Sequence, residues 1–188
     1  MKTIRRFCLL ILSLTLLSAG CTGNALQTFS SVPDFKLTER SGREITRESL
    51  TGQVWVADFI FTRCAGICPT MSTNMRKLQE QLPREIRLVS FSVDPAYDTP
   101  AVLTEYAKRY DADPDRWLFL TGDPDAIQHL SVGGFKLALD PTGGTEAEPI
   151  THSSRFVLVD RDGVIRGYYG TEEPEVLDRL AQDAKNLL

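Results

Sequence analysis

From residue 53 onward, short wholly apolar runs alternate with longer amphipathic ones. QVWVADFIF (53–61) is apolar at almost every position, which predicts a central strand covered on both faces. IRLVSFSVD (86–94) and WLFLTG (117–122) read the same way. Between the first two, CPTMSTNMRKLQEQL places Met71, Met75, Leu78 and Leu82 at helical spacing, with Pro69 suited to a first turn. DTPAVLTEYAKRY predicts a second helix opened by Asp98 or Thr99, and DPDAIQHLSV a short one capped by Asp123. FKLALD, SRFVLVD and VIRGYYG predict three further strands, the last two joined by a tight turn at Arg161-Asp162-Gly163. EEPEVLDRLAQDAKNLL closes the chain as an amphipathic helix, and PDFKLTERSGREI, before the first buried strand, reads as a hairpin around Ser41-Gly42.

This order describes a layered α/β domain: a central mixed sheet flanked by helices, with an N-terminal hairpin. It matches a thioredoxin-like sheet with an insertion after the second strand. In such sheets, sites form at the carboxyl ends of strands beside the following helix. Cys64 and Cys68 fall there.

The first 20 residues do not fit the domain. MKTIRR is basic, and FCLLILSLTLLSAG is an apolar run of secretory-leader length, short for a membrane span. It ends L-S-A-G-C, which resembles a bacterial lipoprotein cleavage box with Cys21 as the acylated first residue of the mature chain. Ser18 stands where a larger aliphatic residue is more usual. Residues 21–32 then read as a lipidated polar tether and 33–188 as the domain. The expected location is extracytoplasmic and membrane-anchored, where disulfides persist. Loss of Lys2, Arg5 and Arg6 with the leader lowers the formal charge from −4 to −7. A mildly acidic domain without a basic patch argues against nucleic acid as a partner.

On this reading Cys8 leaves with the leader and lipid is expected to block Cys21, so Cys64 and Cys68 remain as the candidate free thiols. Cys68 precedes Pro69 at a helix start, where unsatisfied N–H groups favour thiolate, and Arg63 is expected to push the same way. On a continuous helix, residues four apart have β-carbons about 5–6 Å apart. A disulfide wants about 3.5–4.5 Å. Closing one requires departure from helix, which Ala65-Gly66 makes easy; a soft metal ion tolerates the wider spacing. Two thiolates suit Cu(I), or Zn(II) with further ligands. Of the two histidines, His129 reads as a surface or cap residue. His152 precedes the strand SRFVLVD, on a segment that the fold turns toward the cysteines. Thioredoxins present a cis-proline there, and its place falls near Ser154. Two thiolates and one imidazole make a three-coordinate set, better suited to Cu(I) than to a closed zinc site.

With these residues in place the chain resembles the Sco/SenC family of copper-binding assembly factors for cytochrome c oxidase. FIFTRCAGICPTM, SVDPAYDTP, WLFLTG and HSSRFVLVDRDG carry the resemblance, in the family's order. It implies a thioredoxin fold holding copper, as Cu(I) and in some states Cu(II), through Cys64, Cys68 and His152. It also implies delivery of copper or of reducing equivalents to the dinuclear copper site of oxidase subunit II, with a thioredoxin-like protein as a candidate reductant. The chain departs from the family in having Ala65, where members commonly carry proline after the first cysteine.

Asp58 opens a second reading, that of a thiol–disulfide oxidoreductase with Cys64 and Cys68 as its redox pair. It stands six residues before Cys64 in an apolar strand, where thioredoxins keep a buried carboxylate that accepts a proton from a thiol. The alternative is a solvent-facing aspartate at the strand end. A peroxidase reading rests only on Phe61-Thr62-x-Cys64 and lacks the proline expected upstream. Met71 and Met75 read as core, Asp94 and Asp98 as a strand end and a helix cap, and Glu146 and Glu148 as solvated charges that could draw a cation toward the site.

Overall fold

The computed structural model describes residues 26–145, 149–173 and 175–188. The leader, Cys21, Glu146 and Glu148 lie outside them. β1 (Lys36–Glu39) and β2 (Glu44–Thr46) form the expected hairpin, with Gly42 supplying the left-handed residue (φ 88°) that its turn requires. Next come β3 (Trp55–Ile60), α1 (Ile67–Gln81), β4 (Arg87–Ser92), α2 (Pro100–Arg109), β5 (Trp117–Thr121) and α3 (Pro124–Gln128). They are followed by β6 (Leu139–Asp140), β7 (Thr151–His152), β8 (Arg155–Val159), β9 (Ile165–Gly170) and α4 (Val176–Lys185).

Seven strands make one mixed sheet in the order β2-β1-β5-β4-β3-β8-β9. β3, β4 and β5 run parallel, and β8 and β9 return antiparallel. All six residues of β3 are buried, as a strand covered on both faces requires. One face carries Trp55, Phe59 and Phe91 against Phe135, with ring centroids 5.1–6.4 Å apart. On the other, α1 buries Cys68, Met71, Met75 and Leu78, and Ser72 and Tyr106 join α1 to α2 at 2.8 Å. Buried Arg116 holds the far end of α1. Its guanidinium donates to the carbonyls of Gln79 and Leu82, which the helix end leaves without partners, and to those of Pro83 and Ile86 in the turn that follows.

Two expectations change. FKLALD is not a strand along its length. A π-helical turn, His129–Gly134, closes on Phe135, whose N–H donates to the Leu130 carbonyl (2.8 Å), and Lys136 is left-handed (φ 56°). The aromatic cluster claims Phe135, so the extended backbone shrinks to β6, which pairs only with β7. Residues 26–32, expected to belong to the tether, lie against β9, and Val32 is buried. Among the described residues no helix is long and apolar enough to cross a membrane.

Candidate metal and thiol centre

β3 ends on Ile60 and delivers the chain into a turn in which the Cys64 N–H donates to the Phe61 carbonyl (3.3 Å). Cys64 therefore lies outside the helix and Cys68 in the first turn of α1, with the break at Ala65-Gly66. The spacing of a continuous helix does not apply to this pair. Both are free cysteines and both are buried. β7 brings in His152, and Leu139 of β6 pairs with it in register. The Gln128 amide steadies that ribbon by donating to the Leu139 carbonyl (3.1 Å).

The Sγ atoms of Cys64 and Cys68 and a ring nitrogen of His152 all lie within 4.8 Å of one another. His152 Nε2 is 3.2 Å from Cys68 Sγ, while Nδ1 is 3.1 Å from the Ser153 carbonyl. A carbonyl can only accept, so Nδ1 carries the proton and Nε2 keeps its lone pair toward the sulfur. The Phe61 ring packs edge-on against the imidazole, with centroids 5.6 Å apart at 83°. With sulfur and imidazole bonds of about 2.3 and 2.0 Å, a trigonal set spaces its ligand atoms about 3.7–4.0 Å apart. The 3.2 Å contact of Cys68 with His152 and the 4.8 Å limit on the set put the three atoms within about 1 Å of that spacing or closer, a geometry that a metal ion can draw into a trigonal set.

The electrostatics differ from expectation. Burial pushes the Cys68 thiol up, and that desolvation outweighs the hydrogen bond from the Phe61 backbone that favours the anion. Arg63 does not serve the thiols. Its guanidinium donates to Asp94 (Nε 3.0 Å) and lies over the Tyr97 ring at 4.4 Å. A bound cation, not a helix end or Arg63, is the strongest available means of drawing these sulfurs into the thiolate form.

Asp58 is wholly buried and not at a solvent-facing strand end. Ser90 donates to its Oδ1 (2.6 Å), and Trp117 Nε1 donates to Ser90 Oγ (2.9 Å). Its Oδ2 has no hydrogen-bond partner. Burial pushes its carboxyl up to about 7, against the Ser90 hydrogen bond, and its charge acts on Cys68.

Sequence reasoning missed the role of Asp98. Thr99, not Asp98, caps α2, accepting from the Val102 N–H. Asp98 is wholly buried and accepts from Ser92 Oγ (2.6 Å), from the Thr62 N–H (3.1 Å) and from the Thr62 hydroxyl. It ties the root of the cysteine turn to the DPAYD loop. The hint was there in the two adjacent candidates for one cap, only one of which a helix can use. His129 is exposed, and Met71 and Met75 are core.

The fold and this cluster define a thioredoxin-like domain with two thiols and one imidazole converging at the end of a central strand. The SCO1/SenC family model matches residues 24–188, and the chain belongs to that family. Three solved structures are similar to it. One is a SCO1/SenC family lipoprotein from Bacillus anthracis, with TM-score 0.76 and 32% identity, covering 86% of this chain and 97% of that one. Another is BsSco, described as having a disulfide switch and as a member of the Sco family of cytochrome c oxidase assembly proteins. It has TM-score 0.74 and 36% identity, covering 84% and 92%. The third is Bradyrhizobium japonicum ScoI with copper bound, with TM-score 0.71 and 26% identity, covering 85% and 100%.

Proposed function

We propose that this chain is an extracytoplasmic copper carrier that binds one copper ion through Cys64, Cys68 and His152. It passes the ion to the dinuclear copper site of cytochrome c oxidase subunit II. The observation that carries the reading is the convergence of two sulfurs and one imidazole nitrogen within 4.8 Å. A set with two soft sulfurs and one nitrogen suits Cu(I) and leaves zinc without its fourth ligand. The copper-bound ScoI relative supports the cargo, and the oxidase-assembly relative supports the destination. Cys21 is the proposed acylation site, a reading supported by the lipoprotein relative. Anaerobic titration of the reduced protein with Cu(I) against a competing chelator tests the site. One-to-one binding that weakens at least tenfold in His152→Ala is expected. Binding indifferent to that substitution removes the imidazole from the site and the reading with it.

A second activity at the same residues is favoured by the unpartnered oxygen of Asp58 and by the disulfide switch of BsSco. In thiol–disulfide exchange the Cys64/Cys68 dithiol becomes a disulfide, and two electrons and two protons pass to a target disulfide, leaving two thiols there. Asp58 takes the Cys68 proton as its sulfur attacks the mixed disulfide, and a thioredoxin-like reductant restores the dithiol.

A further inference from the structure

Residues 26–32 form a strap on the outer strand of the sheet. The Phe29 N–H donates to the Ile165 carbonyl (2.9 Å), Ile165 N–H to Ser30 (3.0 Å) and Val32 N–H to Gly163 (2.9 Å), with Ser31 opposite Val164. The Arg166 guanidinium donates to the carbonyls of Leu26 (3.0 Å) and Gln27 (2.9 Å) and pairs with Asp160 (2.9 Å). Phe29 meets Tyr168 edge-on with centroids 5.0 Å apart, yet stays 41% exposed. The strap pairs part of an edge strand whose backbone groups otherwise face solvent.

The register gives the strap a direction. It runs antiparallel to β9, so toward its N-terminal end it heads for Gly170, which pairs with Arg155 at the start of β8. β8 is antiparallel to β3, so this is the end of the sheet where β3 delivers Cys64. Only residues 22–25 separate Leu26 from Cys21. Fully extended, the five steps from Cys21 to Leu26 span at most about 17 Å, whereas twelve free steps to Pro33 would span about 40 Å.

We propose that the β9 edge with its strap is the surface this domain turns to a lipid bilayer; the inference rests on the reading of Cys21 as the acylated residue. A leash this short, leaving from one edge strand, holds that edge low. β2, at the opposite edge, lies six strand spacings away, about 29 Å. β3 lies two spacings away, about 10 Å, so the thiols open close above the membrane. The exposed ring of Phe29, beside Tyr168, is the kind of apolar side chain that enters the boundary between headgroups and acyl chains. The partner this arrangement serves is one whose copper-accepting site stands low over the same bilayer.

The experiment uses the full acylated chain in phosphatidylcholine vesicles with brominated acyl chains, which quench nearby indoles. Trp55 and Trp117 are buried at 1% and 0% exposure, out of contact with the acyl chains, so the native protein supplies an unquenched background that is subtracted. Phe29→Trp is expected to lose most of its added emission, and Glu44→Trp, on β2, to keep it. A long Gly-Ser insertion after Thr22 is expected to abolish the Phe29→Trp quenching. Equal quenching at both positions, or none at either in a chain that floats with the vesicles, overturns the proposal. Intact mass separates that failure from the other one. A chain without the acyl mass at Cys21 that does not float overturns the lipidation reading, and the proposed surface falls with it.

Discussion

Asp98 and Asp58 are both wholly buried, but their surroundings treat them oppositely. Asp98 accepts from Ser92, from the Thr62 backbone and from the Thr62 hydroxyl. Asp58 accepts from Ser90 alone, and its second oxygen faces no donor. Burial raises both carboxyls; at Asp98 three donors oppose it, whereas at Asp58 only one does, and that group reaches about 7. A carboxylate surrounded by donors is a joint: it holds the cysteine turn to the DPAYD loop. A half-satisfied one beside a thiol changes protonation near neutral pH, a property useful for proton transfer and costly for stability.

The largest effect that sharpens this contrast is the pH dependence at Asp58. Its folded-state pKa of about 7 stands above the ordinary carboxylate value of 3.8, so the folded protein binds the extra proton. The stability this confers is complete below about pH 4 and lost as pH rises through about 7. Between pH 4 and pH 8, the unfolding free energy of Asp58→Asn is expected to gain about 4 kcal/mol on that of the native protein. Urea denaturation of both proteins across that range measures the gain. Curves that stay parallel would show that the Asp58 carboxyl is not raised in the folded state.

Asp98→Ala, by contrast, is expected to lower stability by about 3 kcal/mol, because it leaves the half-buried donors of Thr62 and the buried hydroxyl of Ser92 without their acceptor. Thermal unfolding of the variant beside the native protein checks the loss. A stable Asp98→Ala protein would erase the distinction between joint and proton acceptor. The smallest change is Ser90→Ala. Removing the one donor to Asp58 moves the pH at which the stability curve levels off upward from about 7 and costs about 1 kcal/mol. A levelling point that stays in place would mean that Ser90 does not set the Asp58 carboxyl.

Much of the fold was legible because burial leaves a periodic mark. The runs at 53–61, 86–94 and 117–122 contain β3, β4 and β5, and Met71, Met75 and Leu78 line the buried stripe of α1. The break at FKLALD was not legible, since an apolar run serves an extended strand and a turn that sends one aromatic into the core equally well. The residue types of the site were legible too, as two thiols and one imidazole. The Arg63 expectation failed because adjacency in sequence says nothing of where a long side chain points; Asp94 and Tyr97 claim it. Asp58 carried two readings until its burial was known.

The sequence by itself determined most of the strands and helices, the candidate ligands Cys64, Cys68 and His152, and the resemblance to one family, because periodicity and residue chemistry are local properties. Tertiary structure decided which oxygens of Asp58 and Asp98 find donors and that Cys68 is desolvated. It also decided that a two-residue ribbon aims His152 Nε2 at sulfur, and that a strap binds β9. Those outcomes depend on groups distant in the chain, Thr62 with Asp98 or Cys68 with His152. Desolvation and hydrogen-bond satisfaction are set by everything that surrounds a group and not by its neighbours in sequence.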